Sequence, residues 1–196
     1  MRSKILLNFP KVFLNSDSKK KSFKLIKELG FDQLVLDASY LIKEKNIKET
    51  LCDFNLVLFA ANINCSMKKD EAIVLMDTLH TLDCSYLIPN QFLEERSMAI
   101  FEESGLKQLA KRNNIYCKPN NKTSEEPFII ENALSYQTAP LQSQAINESE
   151  TDKETISKAI ESNLYFLITP DPALEKAKYL MHCKDILNRF YFLGVR

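Results

Sequence analysis

The residues of this chain able to do chemistry sit where apolar runs end. The run 164–168 meets Thr169-Pro170-Asp171-Pro172, and a helix must follow. Asp171 is a good N-cap and Pro172 fits the first helical position. A hydroxyl beside backbone N–H groups at the positive end of a helix suits a substrate carboxylate, which makes Thr169 a candidate ligand contact. Asp171 argues the other way, because its carboxylate caps the same N–H groups and repels an anion. Asn62 and Asn64 follow the run 55–61 in a comparable loop and are candidate amide donors, although Asn in a loop usually shapes the turn. Tyr136-Gln137-Thr138 is a short polar triplet in a β-like context. Lys19-Lys20-Lys21 either attracts a polyanion or simply opens a solvated helix. His80 and His182 lie far apart, each in an expected amphipathic helix, where partial exposure explains them better than catalysis does.

The elements that position these residues alternate. Ile5-Leu6-Leu7 reads as a first buried strand, and 19–29 as a helix with Phe23, Ile26 and Leu29 on one side, stopped by Gly30. Residues 33–37 (QLVLD) form a second strand, which Tyr40-Leu41-Ile42 extends as a linker. Residues 43–50 are a turn or short helix, 55–61 (NLVLFAA) is the strongest strand of the first half, and 68–82 suits an amphipathic helix. A strand at 85–88, a long helical stretch at 91–112 broken near Gly105, and a strand at 115–117 follow. Further strands are expected at 128–130, 164–168 and 191–193, and helices at 153–162 and from Pro172 to about 187. Residues 118–127 and 139–155 read as loops. Strands alternating with helices argue for a mostly parallel sheet flanked by helices, an α/β fold.

Composition removes several classes of function. The chain has 196 residues, room for one large domain or two small ones, and 26 basic residues balance 26 acidic ones. As a whole it is no electrostatic partner for nucleic acid or membrane. Only Gly30, Gly105 and Gly194 are available, too few and too scattered for a dinucleotide loop or a P-loop. Five widely spaced cysteines without a CxxC, and two histidines, argue against a zinc site and suit free thiols in a reducing cytoplasm. The N-terminal apolar run, broken at Pro10 and Lys11, is too short for a signal peptide or a membrane span.

Several segments, taken in order, resemble the uroporphyrinogen-III synthase family. KILLNFP with its helix and ELGFDQLVLDASYLI is similar to the family's first strand, helix and linker. LCDFNLVLFAAN, KTSEEPFI, LSYQTAP and FLITPDPAL with RFYFLGVR are similar to its later motifs. The resemblance implies two small lobes joined by a double linker, with 1–37 plus 138–196 in the first lobe, 43–130 in the second, and linkers at 38–42 and 131–137. It implies cyclisation of hydroxymethylbilane with inversion of the last pyrrole ring, by a cytoplasmic monomer that needs no metal or organic cofactor and binds a small polycarboxylate. Tyr136 would donate to the departing hydroxyl, with Thr138, Thr169 and Asn62 as substrate contacts. The chain departs from the family at 59–62, where Phe-Ala-Ala-Asn replaces a loop with hydroxyls, and it lacks the family's Gly-Thr-Ala turns.

Two other readings stay open. QLVLDASYLI, YLIPNQFLEE and the segment 151–174 resemble a PIN-like nuclease, which implies that Asp37, Glu95, Asp152 and Asp171 converge on Mg²⁺ or Mn²⁺ to activate water. The third is a non-catalytic α/β interaction module of receiver-like or flavodoxin-like order.

Overall fold

A computed structural model describes residues 5–14, 19–63, 67–89, 105–113, 115–117, 134–136, 166–168 and 174–192. Among the described residues seven strands are formed: β1 (Ile5–Phe9), β2 (Gln33–Asp37), β3 (Val57–Ile63), β4 (Tyr86–Pro89), β5 (Tyr116–Cys117), β6 (Leu134–Tyr136) and β7 (Phe166–Ile168). They make one sheet in the spatial order β5-β4-β3-β2-β1-β7-β6, and all six pairings are parallel. Read from β6, that order is 6-7-1-2-3-4-5, which is chain order wrapped once around a ring. A doubly wound sheet instead reverses direction in its middle. The strands of both expected lobes therefore share one sheet, with β2 and β3 paired from Gln33↔Val57 to Asp37↔Asn62.

Side-chain alternation sorts the core into two layers. Ile5, Leu7, Phe9, Leu34, Leu36, Leu58, Ala61, Ile63 and Leu87 belong to a large cluster on one face. That cluster also holds the buried residues of the helices. These are α1 (Lys19–Glu28), α2 (Ala38–Leu41), α3 (Ile47–Asp53), α4 (Lys69–Thr81), α5 (Leu106–Arg112) and α6 (Lys176–Phe192). Leu6, Val35, Phe59, Ala60 and Ile88, with Tyr86 against them, form a second cluster on the other face, built from strand residues alone. The described helices thus cover one face, and the strands fill the other themselves. This is the layering of a curled β/α barrel, whose interior is packed by strand side chains.

Local chemistry explains where the elements end. Gly30 closes α1 at φ +100, a region costly for other residues, and Phe31 N–H reaches back to Ile26 O at 3.3 Å. Asp37 caps α2 by accepting from Ser39 N at 2.8 Å. Residues 38–41 are therefore helical, where an extended linker was expected. The last helix continues through Tyr191 and Phe192, where a terminal strand was expected. The apolar spacing Tyr179, Leu180, Cys183, Ile186 and Leu187 carries the helix onto the core, and this packing overrides the β preference of the aromatic run. The strand and helix expected at 128–130 and 153–162 lie outside the described residues. No described helix is long and apolar enough to cross a membrane.

Two buried thiols give the fold a pH signature. Burial pushes Cys84 and Cys183 up to about 12 from 9.0, and it raises the Tyr179 phenol well above 10.0. Their folded-state pKa values exceed the unfolded ones, so their contribution is full below pH 9.0 and is lost as pH rises toward 12. Melting temperature should stay level from pH 7 to pH 8.5 and then fall, with a smaller fall in a Cys84→Ala variant. A melting curve indifferent to pH up to 11 would show that these groups are not buried.

Candidate active site at the strand ends

The described strands all point the same way, so their C-terminal ends lie at one end of the sheet. In parallel β/α architectures that end carries the chemistry. Alternation on β1 to β3 places Asn8, Asp37 and Asn62 on the face of the strand-only cluster, above Leu6, Val35 and Phe59. The inner face therefore changes from apolar to polar along the strands.

A bulge brings two of these residues together. The pairing of β2 with β3 shifts between Leu34 and Val35, so that Leu34 faces Leu58 while Val35 faces Ala60. The extra residue lets both Phe59 and Ala60 join the inner cluster, and it brings Asn62 level with Asp37. In the unshifted register Asp37 would face Ala61. Bulges of this kind re-aim side chains beside functional sites. Phe59 stacks on Tyr86 with ring centroids 5.0 Å apart, giving the polar rung a rigid floor.

Asp37 is 4% exposed and held on several sides. Its Oδ1 accepts from Ser39 N at 2.8 Å and from the Ser39 hydroxyl. Lys11 donates to Ser39 Oγ at 3.0 Å, and its ammonium stands 4.0 Å from Asp37 Oδ1. Lys11, Ser39 and Asp37 form a polar chain from the half-exposed mouth to a buried carboxylate. Asn62 is 7% exposed, and its Oδ1 has no hydrogen-bond partner. A carboxylate, a cation and an open amide acceptor above an apolar floor can bind a small polar molecule and move a proton on it.

The residues expected from sequence fare differently. Asn62 is the penultimate residue of β3, buried in the strand and not in a loop. Tyr136 ends β6 level with Ile168 of β7, at the C-terminal end of the sheet but four strands from β3. Thr138, Thr169, Asn64, Glu95, Asp152 and Asp171 lie outside the described residues. His80 is exposed near the end of α4, and His182 is half-buried in α6. The Lys19-Lys20-Lys21 run is largely neutralised. Lys19 pairs with Glu44 at 2.7 Å and Lys20 with Asp53 at 3.5 Å, as a solvated helix start does. Among the described residues, no group of three or more His, Cys, Asp or Glu is placed to hold a metal ion. Sequence reading missed Lys11 and Ser39. The dipeptides just past two strand ends, Pro10-Lys11 and Ala38-Ser39, were the available signal.

No protein-family model matches the chain, and no curated protein is similar to it in sequence. Solved structures are similar in fold. A D-psicose 3-epimerase in the presence of D-fructose superposes with a TM-score of 0.58 at 10% identity, over 95% of this chain and 98% of that one. The D-psicose 3-epimerase of Clostridium cellulolyticum H10 with D-tagatose gives the same values. A xylose isomerase domain containing protein from Salmonella typhimurium LT2 gives 0.51 at 10% identity over the whole of both chains. At such identity the likeness is one of fold, and it agrees with the wrapped strand order and the one-sided helices. It overturns the resemblance to uroporphyrinogen-III synthases. The tetrapyrrole cyclisation and the lyase and porphyrin-biosynthesis assignments that rested on that resemblance fall with it. The PIN-like nuclease and the non-catalytic module gain no support either. Both resemblances rested on short apolar strand motifs, and strands buried on both faces look alike in many α/β folds.

Proposed function

We propose that this chain is a barrel enzyme of the carbohydrate isomerase or epimerase kind, moving a proton on a carbon beside a carbonyl group. The observation that carries the reading is the polar rung at the strand ends. Asp37 and Asn62 stand in register on neighbouring strands, with Lys11 and Ser39 over Asp37 and an apolar floor beneath. The similar structures, a D-psicose 3-epimerase with D-fructose or D-tagatose and a xylose isomerase domain containing protein, agree with this class of substrate.

Each group has a part in such a reaction. The Asp37 carboxylate takes the proton from the carbon beside the carbonyl. The C–H electron pair becomes a carbon–carbon double bond, and the carbonyl pair moves onto oxygen. The Lys11 ammonium stabilises the charge that develops there. Return of the proton to the adjacent carbon, with the hydroxyl proton passing from one oxygen to the other, interconverts an aldose and a ketose. Delivery of a proton from water to the same carbon on the other face, with the Asp37 proton released to solvent, gives an epimer. Ser39 fixes the carboxylate and links it to Lys11, so the base is positioned before substrate arrives.

The test is incubation of the purified protein with D-fructose, D-tagatose, D-psicose and D-xylose in D₂O, followed by proton NMR. Loss of the signal from the hydrogen beside the carbonyl, together with a new isomer or epimer, is the expected result. Retention of every carbon-bound proton, at protein concentrations that would reveal slow turnover, would remove the reading.

A further inference from the structure

We infer that Asn62 determines specificity at this mouth by accepting a hydrogen bond from one hydroxyl of an uncharged substrate. The inference rests on the carbohydrate reading above and deepens it. Asn62 Oδ1 is buried and has no hydrogen-bond partner, and leaving a buried acceptor unpaired costs folding free energy. Among the described residues one other buried side-chain atom shares this condition, the Tyr40 hydroxyl. Tyr40 belongs to the helix-facing cluster, on the opposite side of the sheet from Asn62.

The position does not require a polar residue for packing. In register it lies between Asp37 of β2 and Ile88 of β4, above the strand-only apolar cluster, and a leucine would extend that cluster without leaving an orphaned acceptor. The bulge at Phe59–Ala60 sets this amide beside the buried carboxylate of Asp37. A polar group kept at a cost, without a partner of its own, and set beside the proton-accepting residue suits a partner that arrives with the ligand.

The chemistry of that partner follows from the atoms. An amide oxygen only accepts, so the ligand must donate. Lys11 and Asp37 bring opposite charges to the same place, so their field favours neither a cation nor an anion. A neutral hydroxyl fits, and a polyhydroxylated ketose carries one on nearly every carbon.

The experiment measures binding of D-fructose and a series of its single-deoxy analogues by calorimetry, to the wild-type protein and to Asn62→Leu. Asn62→Val, smaller and β-branched, is the second variant should leucine overfill the site. Wild type should bind one deoxy analogue about tenfold more weakly than D-fructose, as loss of one neutral hydrogen bond predicts. The variants should bind D-fructose about as weakly as that analogue and no longer tell the two apart. Their melting temperature without ligand should equal or exceed that of wild type, because no internal bond is lost. Variants that keep the discrimination, or that both melt lower, would overturn the inference while leaving the carbohydrate reading in place. A wild type that binds none of these sugars would overturn that reading and the inference with it.

Discussion

Replacing Tyr179 with alanine should remove about 3–5 kcal/mol of stability, the range for deleting a large aromatic from a packed core. Tyr179 is fully buried although it comes from α6, far along the chain from its partners. Its ring meets Phe13 edge-on at 5.1 Å and Phe9 at 6.1 Å, and its hydroxyl donates to the backbone oxygen of Asn8. Around it, Lys176 donates to Ser22 Oγ and to Phe13 O, so one turn of α6 is tied to β1 and to the segment that follows it. The alanine variant loses the aromatic pairs and the hydroxyl bond together, and it opens a void between α6 and β1. For a chain of this size the midpoint of thermal unfolding should fall by about 10–15 °C. Tyr179→Phe separates the terms. It keeps the rings and should lose only about 0.5–1.5 kcal/mol, the worth of one hydrogen bond. Urea denaturation of the three proteins measures both differences. A loss below about 1 kcal/mol for the alanine variant would mean that α6 does not close against β1 in solution.

That contact bears on what the sequence could and could not reveal. The elements were legible because each has a local cause. QLVLD is a strand at 33–37 as expected, the lysine-rich segment is a helix stopped by Gly30, and 68–82 contains α4. The arrangement of the strands was not legible. In a barrel the inner face of each strand is buried by the other strands, and in a doubly wound sheet it is buried by helices. Either way Leu6 and Val35 are as apolar as Leu7 and Leu34, and the chain records no difference. Only tertiary contacts, such as those of Tyr179 on β1 or the strand-only cluster around Phe59, show which side the helices take. The site shares this limit. Asn62 was singled out from its place after an apolar run, but its burial and its register with Asp37 depend on one extra residue in β3, which no periodicity announces. Lys11 and Asp37 lie 26 positions apart and meet because β1 and β2 are parallel neighbours.

Asp37 is where function and bland structure compete most directly, and one substitution decides between them. As the N-cap of α2 it does what any Asp at a helix start does, and a cap is worth about 1 kcal/mol. Asparagine caps helices about as well as aspartate. In Asp37→Asn the side-chain oxygen can still accept from Ser39 N, and stability should change by no more than about 0.5 kcal/mol. Chemistry is less forgiving. An amide cannot take a proton, and it no longer balances the Lys11 ammonium 4.0 Å away. If Asp37 is the base, turnover in the deuterium-exchange assay should fall about 10²–10⁴-fold, the usual contribution of a positioned acid or base. The loss should fall mainly on kcat, because the groups that bind substrate remain. Asp37→Ala should show the same loss of turnover and, in addition, lose the cap. Unchanged exchange in the stable asparagine variant would leave Asp37 as a helix cap and move the search for a base to other strand ends.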